Sequence, residues 1–312
     1  MKIKAPVLKQ NDLVGIVAPA GPLGDPEILS RGIQTLNKLG YRTLPGRHVL
    51  RKQGYLAGSD THRIEDLTEM FARPEVRAVF CLRGGYGSLR LLSHLDYDLI
   101  RSNPKILVGF SDITALHLAI GRRCGLVTFH GPMIATDFGG GPTAFTRDRL
   151  LRVIGKATGG DEITNPPDGP EVVTITPGTA QGELIGGNLT MITALLGTSF
   201  EIETKGRILI LEEVGESAYR LDRMLSQLRL AGKLAGAAGV IFGECKDCGD
   251  NLPGPSFTVL QVLRDRLGDL GIPCFYGLAI GHGRHKATLP LGVQATMDAE
   301  RRFLRLEEAA VT

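Results

Sequence analysis

Short apolar runs alternate with amphipathic stretches along the first half of the chain. LVGIVAP at 13–19 is continuous apolar sequence ending in Pro-Ala-Gly, the pattern of a strand buried on both faces. Asp25-Pro26 follows as an N-cap with proline in the first turn, predicting a helix that runs to Gly40. A second helix is predicted from Ser59-Asp60 to just before Pro74, then a strand over 76–82 (VRAVFCL), a glycine-rich loop at 83–88 (RGGYGS) and a helical segment through LRLLSHL. A strand at 105–110 (KILVGF), a helix over 112–123 and a short strand in LVTFHGP complete the series. Strands alternating with helices imply a parallel sheet with right-handed crossovers. Such an open sheet takes ligands at the carboxyl ends of its strands, and here RGGYGS and GFSD stand at two of those ends.

From about 139 to 182 the alternation dissolves into glycine, proline and threonine, broken by a short helix near 146–154. Beyond it come a strand at 207–213 (RILILEE), a helix in YRLDRMLSQLRLAG, a strand in AAGVIFGE, a helix over about 256–267, and strand-like pieces ending in LGVQATMD and FLRLEE. The expected organisation is a nucleophile-bearing α/β domain over 1–150, a linker over 151–180 and a smaller α/β or barrel-like domain over 181–312.

Composition narrows the function classes. A net charge of +3 over 312 residues, with lysine and arginine scattered, gives no footprint for nucleic acid. No apolar run approaches the roughly 20 residues of a membrane span, and no apolar segment of a signal peptide precedes the first strand. Five cysteines do not make a disulfide framework, so the expected compartment is the cytoplasm.

Four stretches carry candidate chemistry. In GFSDITALH (109–117), Ser111 is either the cap of the following helix, accepting the Thr114 amide, or a nucleophile lifted on a turn above a helix N-terminus. The second glycine of G-x-S-x-G is missing there. RGGYGS is either a tight turn or a loop whose N–H groups approach an anion, and it matches neither nucleotide-binding glycine motif. In LEEVGESAYRLDR (211–223), two acids end an apolar strand, as a general base, as the orienter of a histidine, or as a solvated strand end. In AIGHGRHKA (279–287), His282 lies between two glycines, which suits an imidazole at the rim of a cleft; His285 completes an H-x-x-H that lacks the remaining ligands of a zinc site. Cys245 and Cys248 form a lone C-x-x-C without the second pair of a zinc ribbon; it reads as a surface turn, with zinc or redox function as the alternative. Serine, a strand-end glutamate and a glycine-flanked histidine are the three types that nucleophilic catalysis needs.

Taken in order, IVAPAGP, RGGYGS, GFSD, HGPM, GGNL, LEEVGE with YRLDR, and GHG resemble the serine LD-carboxypeptidases, the family of the muramoyltetrapeptide carboxypeptidases and microcin-immunity peptidases. The resemblance spans nearly the whole chain. It implies a Rossmann-like, parallel-sheet N-terminal domain, a smaller C-terminal domain of partly β-barrel character, and a homodimer. By motif, Ser111 corresponds to the nucleophile, His282 to the general base and Glu212 to the residue that orients it. The family commonly has Asp where Glu213 stands. The oxyanion hole would be the N–H groups of Asp112 and Gly85, donors worth roughly 10²–10³ in rate each. Arg83 is a candidate for the terminal carboxylate of the substrate, and the sequence leaves open whether the Gly-rich 139–143 loop acts as a lid. The implied substrate is the murein tetrapeptide, cut before its terminal D-Ala without metal or other cofactor, as in cell-wall recycling. The alternatives are hydrolysis of a peptidyl-nucleotide antibiotic or other amide by the same triad, and a non-catalytic peptide-binding role. The chain has no Trp, and Tyr219 and Tyr276 are the second-half tyrosines available to stack on a base.

Overall fold

The computed structural model describes residues 2–249 and 255–312. The chain forms two compact units, one of Met1–Thr158, Thr288–Gly292 and Ala309–Thr312, the other of Gly159–Ala287 and Val293–Glu308.

The first unit opens with β1 (Leu13–Val17), α1 (Pro26–Lys38), β2 (Arg42–Pro45), α2 (Asp60–Ala72) and β3 (Val76–Cys81). The local signals act as their chemistry requires. The Asp25 carboxylate accepts the Glu27 N–H at 2.9 Å, and Gly40 takes φ +91° just past the end of α1. Ser59 and His62 form a reciprocal capping box at the start of α2. A 3₁₀ stretch (Ser88–His94), α3 (Tyr97–Ser102), β4 (Ile106–Gly109), a 3₁₀ turn (Ser111–Ile113), α4 (Thr114–Cys124), β5 (Thr128–His130), a π-turn (Ile134–Phe138) and α5 (Ala144–Gly155) follow. The strands are ordered β5-β4-β3-β1-β2 and all run parallel. The order reverses between β1 and β3, the switch point at which sheets of this kind bind ligands. The loops after β1 and β3 meet there, with Gly21 N–H donating to the Gly84 carbonyl at 3.1 Å.

The second unit begins inside the stretch whose composition reads as a linker. β6 (Asp161–Ile163) and β7 (Val173–Thr176) are edge strands, recruited by long-range partners that local composition does not disclose. Then come β8 (Thr179–Asn188), α6 (Leu189–Ala194), β9 (Ile208–Val214), α7 (Ala218–Leu230), β10 (Gly239–Lys246), α8 (Val259–Leu267) and β11 (Cys274–Leu278). The chain returns to the first unit as β12 (Leu289–Leu291), antiparallel to β5, before β13 (Gln294–Asp298) and β14 (Phe303–Leu306) close the second. Its eight strands are ordered β6-β14-β13-β8-β9-β10-β11-β7. Strand β8 serves two ladders: Thr179–Glu183 pairs antiparallel with β13, and Leu184–Asn188 pairs parallel with β9. Gly186 and Gly187, at φ +135° and +139°, lie in the half paired with β9; a Cβ on Gly186 would overlap the Ile210 carbonyl. Among the described residues, no helix is long and apolar enough to cross a membrane.

Candidate active site

Strand β4 is buried throughout and delivers the chain to Ser111 through an extended Phe110 (φ −151°). Ser111 itself sits at φ +64°, in the left-handed region. That conformation costs a serine roughly 1–2 kcal/mol, because its Cβ crowds the backbone. The capping reading of Ser111 fails. Its side chain caps neither the 3₁₀ turn nor α4, and the Thr114 N–H is taken by the backbone carbonyls of Ser111 and Asp112. The residue is instead a half-buried hydroxyl on a sharp strand-to-helix turn.

The RGGYGS loop lies directly against this turn. A Cβ on Gly84 would stand 2.8 Å from the Ser111 Cβ, 2.9 Å from its Oγ and 3.5 Å from the Asp112 nitrogen. Gly85 follows at φ +115° and is exposed. The loop is tied down by the Asp112 side chain, whose Oδ2 accepts the Ser88 N–H at 2.8 Å, while the Ser88 hydroxyl donates to the Asp112 carbonyl at 2.5 Å. Burial raises the Asp112 carboxyl above its ordinary value, opposed by the hydrogen bonds from Ser88 and Gly87. Asp112 thus locks the loop to the serine turn through its side chain, a role that its place after the serine does not announce. Arg83 donates from Nη1 to the Pro22 carbonyl at 3.1 Å, joining the loops after β3 and β1.

In the second unit, β9 carries Glu212 and Glu213 into a buried environment; neither is a solvated strand end. Successive strand residues face opposite sides of the sheet, so the two acids have different partners. Glu212 is 0% exposed, and its Oε2 lies 2.7 Å from Nδ1 of His282, whose side chain retains 18% exposure. The other Glu212 oxygen has no hydrogen-bond partner among the described residues. Glu213 accepts from Asn188 Nδ2 at 2.9 Å and from the Thr190 N–H and hydroxyl at 2.8 Å each. Burial raises its carboxyl above the ordinary range, against the Val214, Asn188 and Thr190 hydrogen bonds. Glu213 therefore anchors the β8–α6 junction, and Glu212 makes the contact with the imidazole. The GGNL motif was the available signal for Asn188, but its partner lies on the neighbouring strand β9, 25 residues away in sequence.

The two glycines around His282 are buried, and close packing requires them. Gly281 stands at φ +88°, and a Cβ there would lie 2.8 Å from Cβ and Cγ of Glu212. A Cβ on Gly283 would overlap the Glu244 carboxylate. His285 is buried with Nε2 3.2 Å from Asp168 Oδ2, so the two histidines of H-x-x-H engage different carboxylates. Of the residues singled out in the sequence, Ser111, Asp112, Gly84 and Gly85 are gathered in the first unit, and Glu212 and His282 in the second.

These features coincide with relatives along the whole chain. Residues 14–131 match the family model described as the LD-carboxypeptidase N-terminal domain, and 181–297 that of the C-terminal domain. The chain belongs to the LD-carboxypeptidase family. It is 39% identical over 307 residues to the probable murein peptide carboxypeptidase of Bacillus subtilis (strain 168), covering 98% of this chain and 95% of that protein. Among solved structures of the fold, the muramoyltetrapeptide carboxypeptidase from Oxalobacter formigenes aligns with a TM-score of 0.83 at 30% identity, covering 95% and 98% of the two chains. The microcin C7 self-immunity protein MccF, in complex with aspartyl sulfamoyl adenosine, aligns at 0.93 with 25% identity, covering 99% and 100%. The two family models fall on the two halves of this LD-carboxypeptidase that carry the serine and the Glu-His pair.

Proposed function

We propose that this enzyme is a serine carboxypeptidase that removes the terminal D-Ala from murein tetrapeptide, cutting the bond between the L-centre of the diamino acid and D-Ala. The observation that carries the reading is Ser111 at φ +64° on the turn after β4, a strained placement with no capping use. In the reaction, Ser111 Oγ attacks the scissile carbonyl and gives its proton to Nε2 of His282. Nδ1 of that ring faces Glu212, whose buried carboxylate selects the tautomer and stabilises the imidazolium. The N–H groups of Asp112 and Gly85 receive the developing oxyanion. His282 then protonates the departing D-Ala, and water releases the tripeptide from the acyl-enzyme. The family resemblance implies a homodimer, and the substrate implies work in the cytoplasm on recycled peptidoglycan.

The test is mass spectrometry of purified protein incubated with murein tetrapeptide in the presence of EDTA. Loss of a single D-Ala, abolished in Ser111→Ala, supports the substrate and the serine mechanism together. No release from the tetrapeptide, with release from an aminoacyl sulfamoyl nucleoside, would move the function to the MccF-like alternative. Activity retained in Ser111→Ala would remove the triad.

A further inference from the structure

Strand β10 ends in Cys245-Lys246, and the chain then turns through Asp247 to Cys248. The Cys248 N–H donates to the Cys245 carbonyl at 3.4 Å, and Asp247 stands at φ +55°. A four-residue turn of this kind brings its first and last Cα atoms within about 7 Å. Disulfides span Cα separations of about 4.4–6.8 Å, so the backbone already holds the two residues at bridging range. The two thiols lie close enough to each other, and the Glu216 N–H to Cys248, to shift their protonation. The turn is braced on both sides: Gly215 N–H donates to the Lys246 carbonyl at 2.9 Å, and Gly249 N–H to the Glu216 carbonyl at 3.0 Å. Cys245 and Cys248 are both half-buried, whereas Cys81, Cys124 and Cys274 are buried. Burial pushes the thiols of Cys124 and Cys274 up to about 11 and about 12. Among the described residues, no group of three or more His, Cys, Asp and Glu is arranged to hold a metal ion.

We propose that Cys245 and Cys248 form a reversible redox site, in which a small peroxide converts the dithiol to an intrachain disulfide and a thiol reductant restores it. The two sulfurs have different roles. The neighbouring Cys245 thiol, together with the Glu216 N–H, holds the Cys248 thiol below its ordinary range, whereas the Cys248 neighbour and burial raise Cys245. Cys248 is the attacking thiolate. Its sulfur attacks one peroxide oxygen, the O–O bond breaks, and the second oxygen leaves as hydroxide; Cys248 becomes a sulfenic acid. The Cys245 sulfur then attacks that sulfur, the S–O bond breaks and S–S forms. The hydroxide from the first step and the oxygen from the second leave as water, with the two thiol protons and those of the peroxide. The sulfurs lose two electrons and the peroxide gains them. Reduction runs through a mixed disulfide with the incoming thiol.

The experiment treats the folded protein with hydrogen peroxide, blocks remaining thiols, digests with trypsin and maps the peptides by mass spectrometry. Cleavage after Lys246 separates the two cysteines, so only a disulfide keeps their peptides joined. The expected result is that joined pair, released by dithiothreitol, with Cys81, Cys124 and Cys274 unmodified. In Cys245→Ser, oxidation stops at a Cys248 sulfenic acid that dimedone traps. Wild-type protein with both thiols still alkylatable, or with Cys248 carried to sulfinic or sulfonic acid and no joined pair, overturns the proposal. Those wild-type readings stand whether or not the Cys245→Ser variant folds.

Discussion

Gly84 and Ser111 are in contact at a distance that leaves no room for a methyl group. A Cβ on residue 84 would stand 2.8 Å from the serine Cβ and 2.9 Å from its Oγ. The glycine-rich loop after β3 and the serine turn after β4 are therefore one packed assembly, and the position of the hydroxyl depends on the absence of a side chain next to it.

Gly84→Ala displaces either the loop or the hydroxyl by a few tenths of an ångström or more. Misplacement on the scale of 1 Å can cost about 10²-fold in rate. The expectation is a fall in kcat of about 10-fold to 10²-fold, with a smaller change in KM and a cooperative melt retained. Steady-state kinetics alongside thermal unfolding checks it, and wild-type kcat in the variant counts against the assembly described.

On the proposed mechanism Ser111→Gly and Ser111→Ala are both expected to abolish turnover, but to separate in stability. Glycine adopts φ +64° freely, whereas alanine keeps the strain of the serine. Ser111→Gly is expected to be more stable than Ser111→Ala by about 1 kcal/mol. Denaturant melts of the two inactive proteins measure the difference; equal midpoints would mean that the turn relaxes in solution.

Glu212 and Glu213 are adjacent and fail in different ways. Glu212→Gln leaves the packing but disturbs the tautomer and charge at His282; the same kind of change in a serine protease costs about 10⁴ in kcat. Glu213→Ala leaves the Asn188 amide and the Thr190 N–H without their acceptor, at about 1–3 kcal/mol of stability. Activity should collapse in the first with little change in melting, and melting should drop in the second. The reverse pattern would exchange the two roles.

His117 makes stability fall in mild acid. It is buried on α4, its Nε2 faces the Gly109 carbonyl at 2.8 Å, and among the described residues Nδ1 has no hydrogen-bond partner to receive a second proton. Burial, against the Gly109 hydrogen bond, lowers its pKa from 6.5 to about 3. Between those values the unfolded chain binds a proton that the folded one does not. This group therefore contributes its full stability above about pH 6.5 and loses it as pH falls toward 3, at about 1.4 kcal/mol per unit. Urea melts between pH 7 and pH 4 should show that slope, and His117→Gln, which keeps a donor for Gly109, should reduce it.

What local sequence determined is what local physics controls. The continuous apolar run of β1, the Asp25-Pro26 start of α1, the Ser59 cap of α2 and the apolar stretches of β3 and β4 each carry their conformation in neighbouring residues. Their alternation sufficed for a parallel sheet with glycine loops at its carboxyl edge. The motif series was enough to reach the family, because separate short motifs in order constrain a chain far more than any one of them.

Tertiary structure decided the rest, because it depended on groups distant in sequence. Whether Ser111 caps a helix rests on a backbone dihedral that the β3 and β4 loops impose together. Which glutamate meets His282 rests on the side of the sheet each faces and on what lies there, 70 residues away in the case of His282. The glycines beside that histidine read as openings to solvent, yet the fold buries them so that the carboxylates of Glu212 and Glu244 can approach. Strand β6 (DEI) arises from residues with little strand propensity, and β7 (VTIT) from a four-residue β-branched run set among glycines and prolines; β14 and β11 supply their hydrogen-bonding partners. A composition records what a segment prefers alone; a sheet edge elsewhere in the chain overrides that preference.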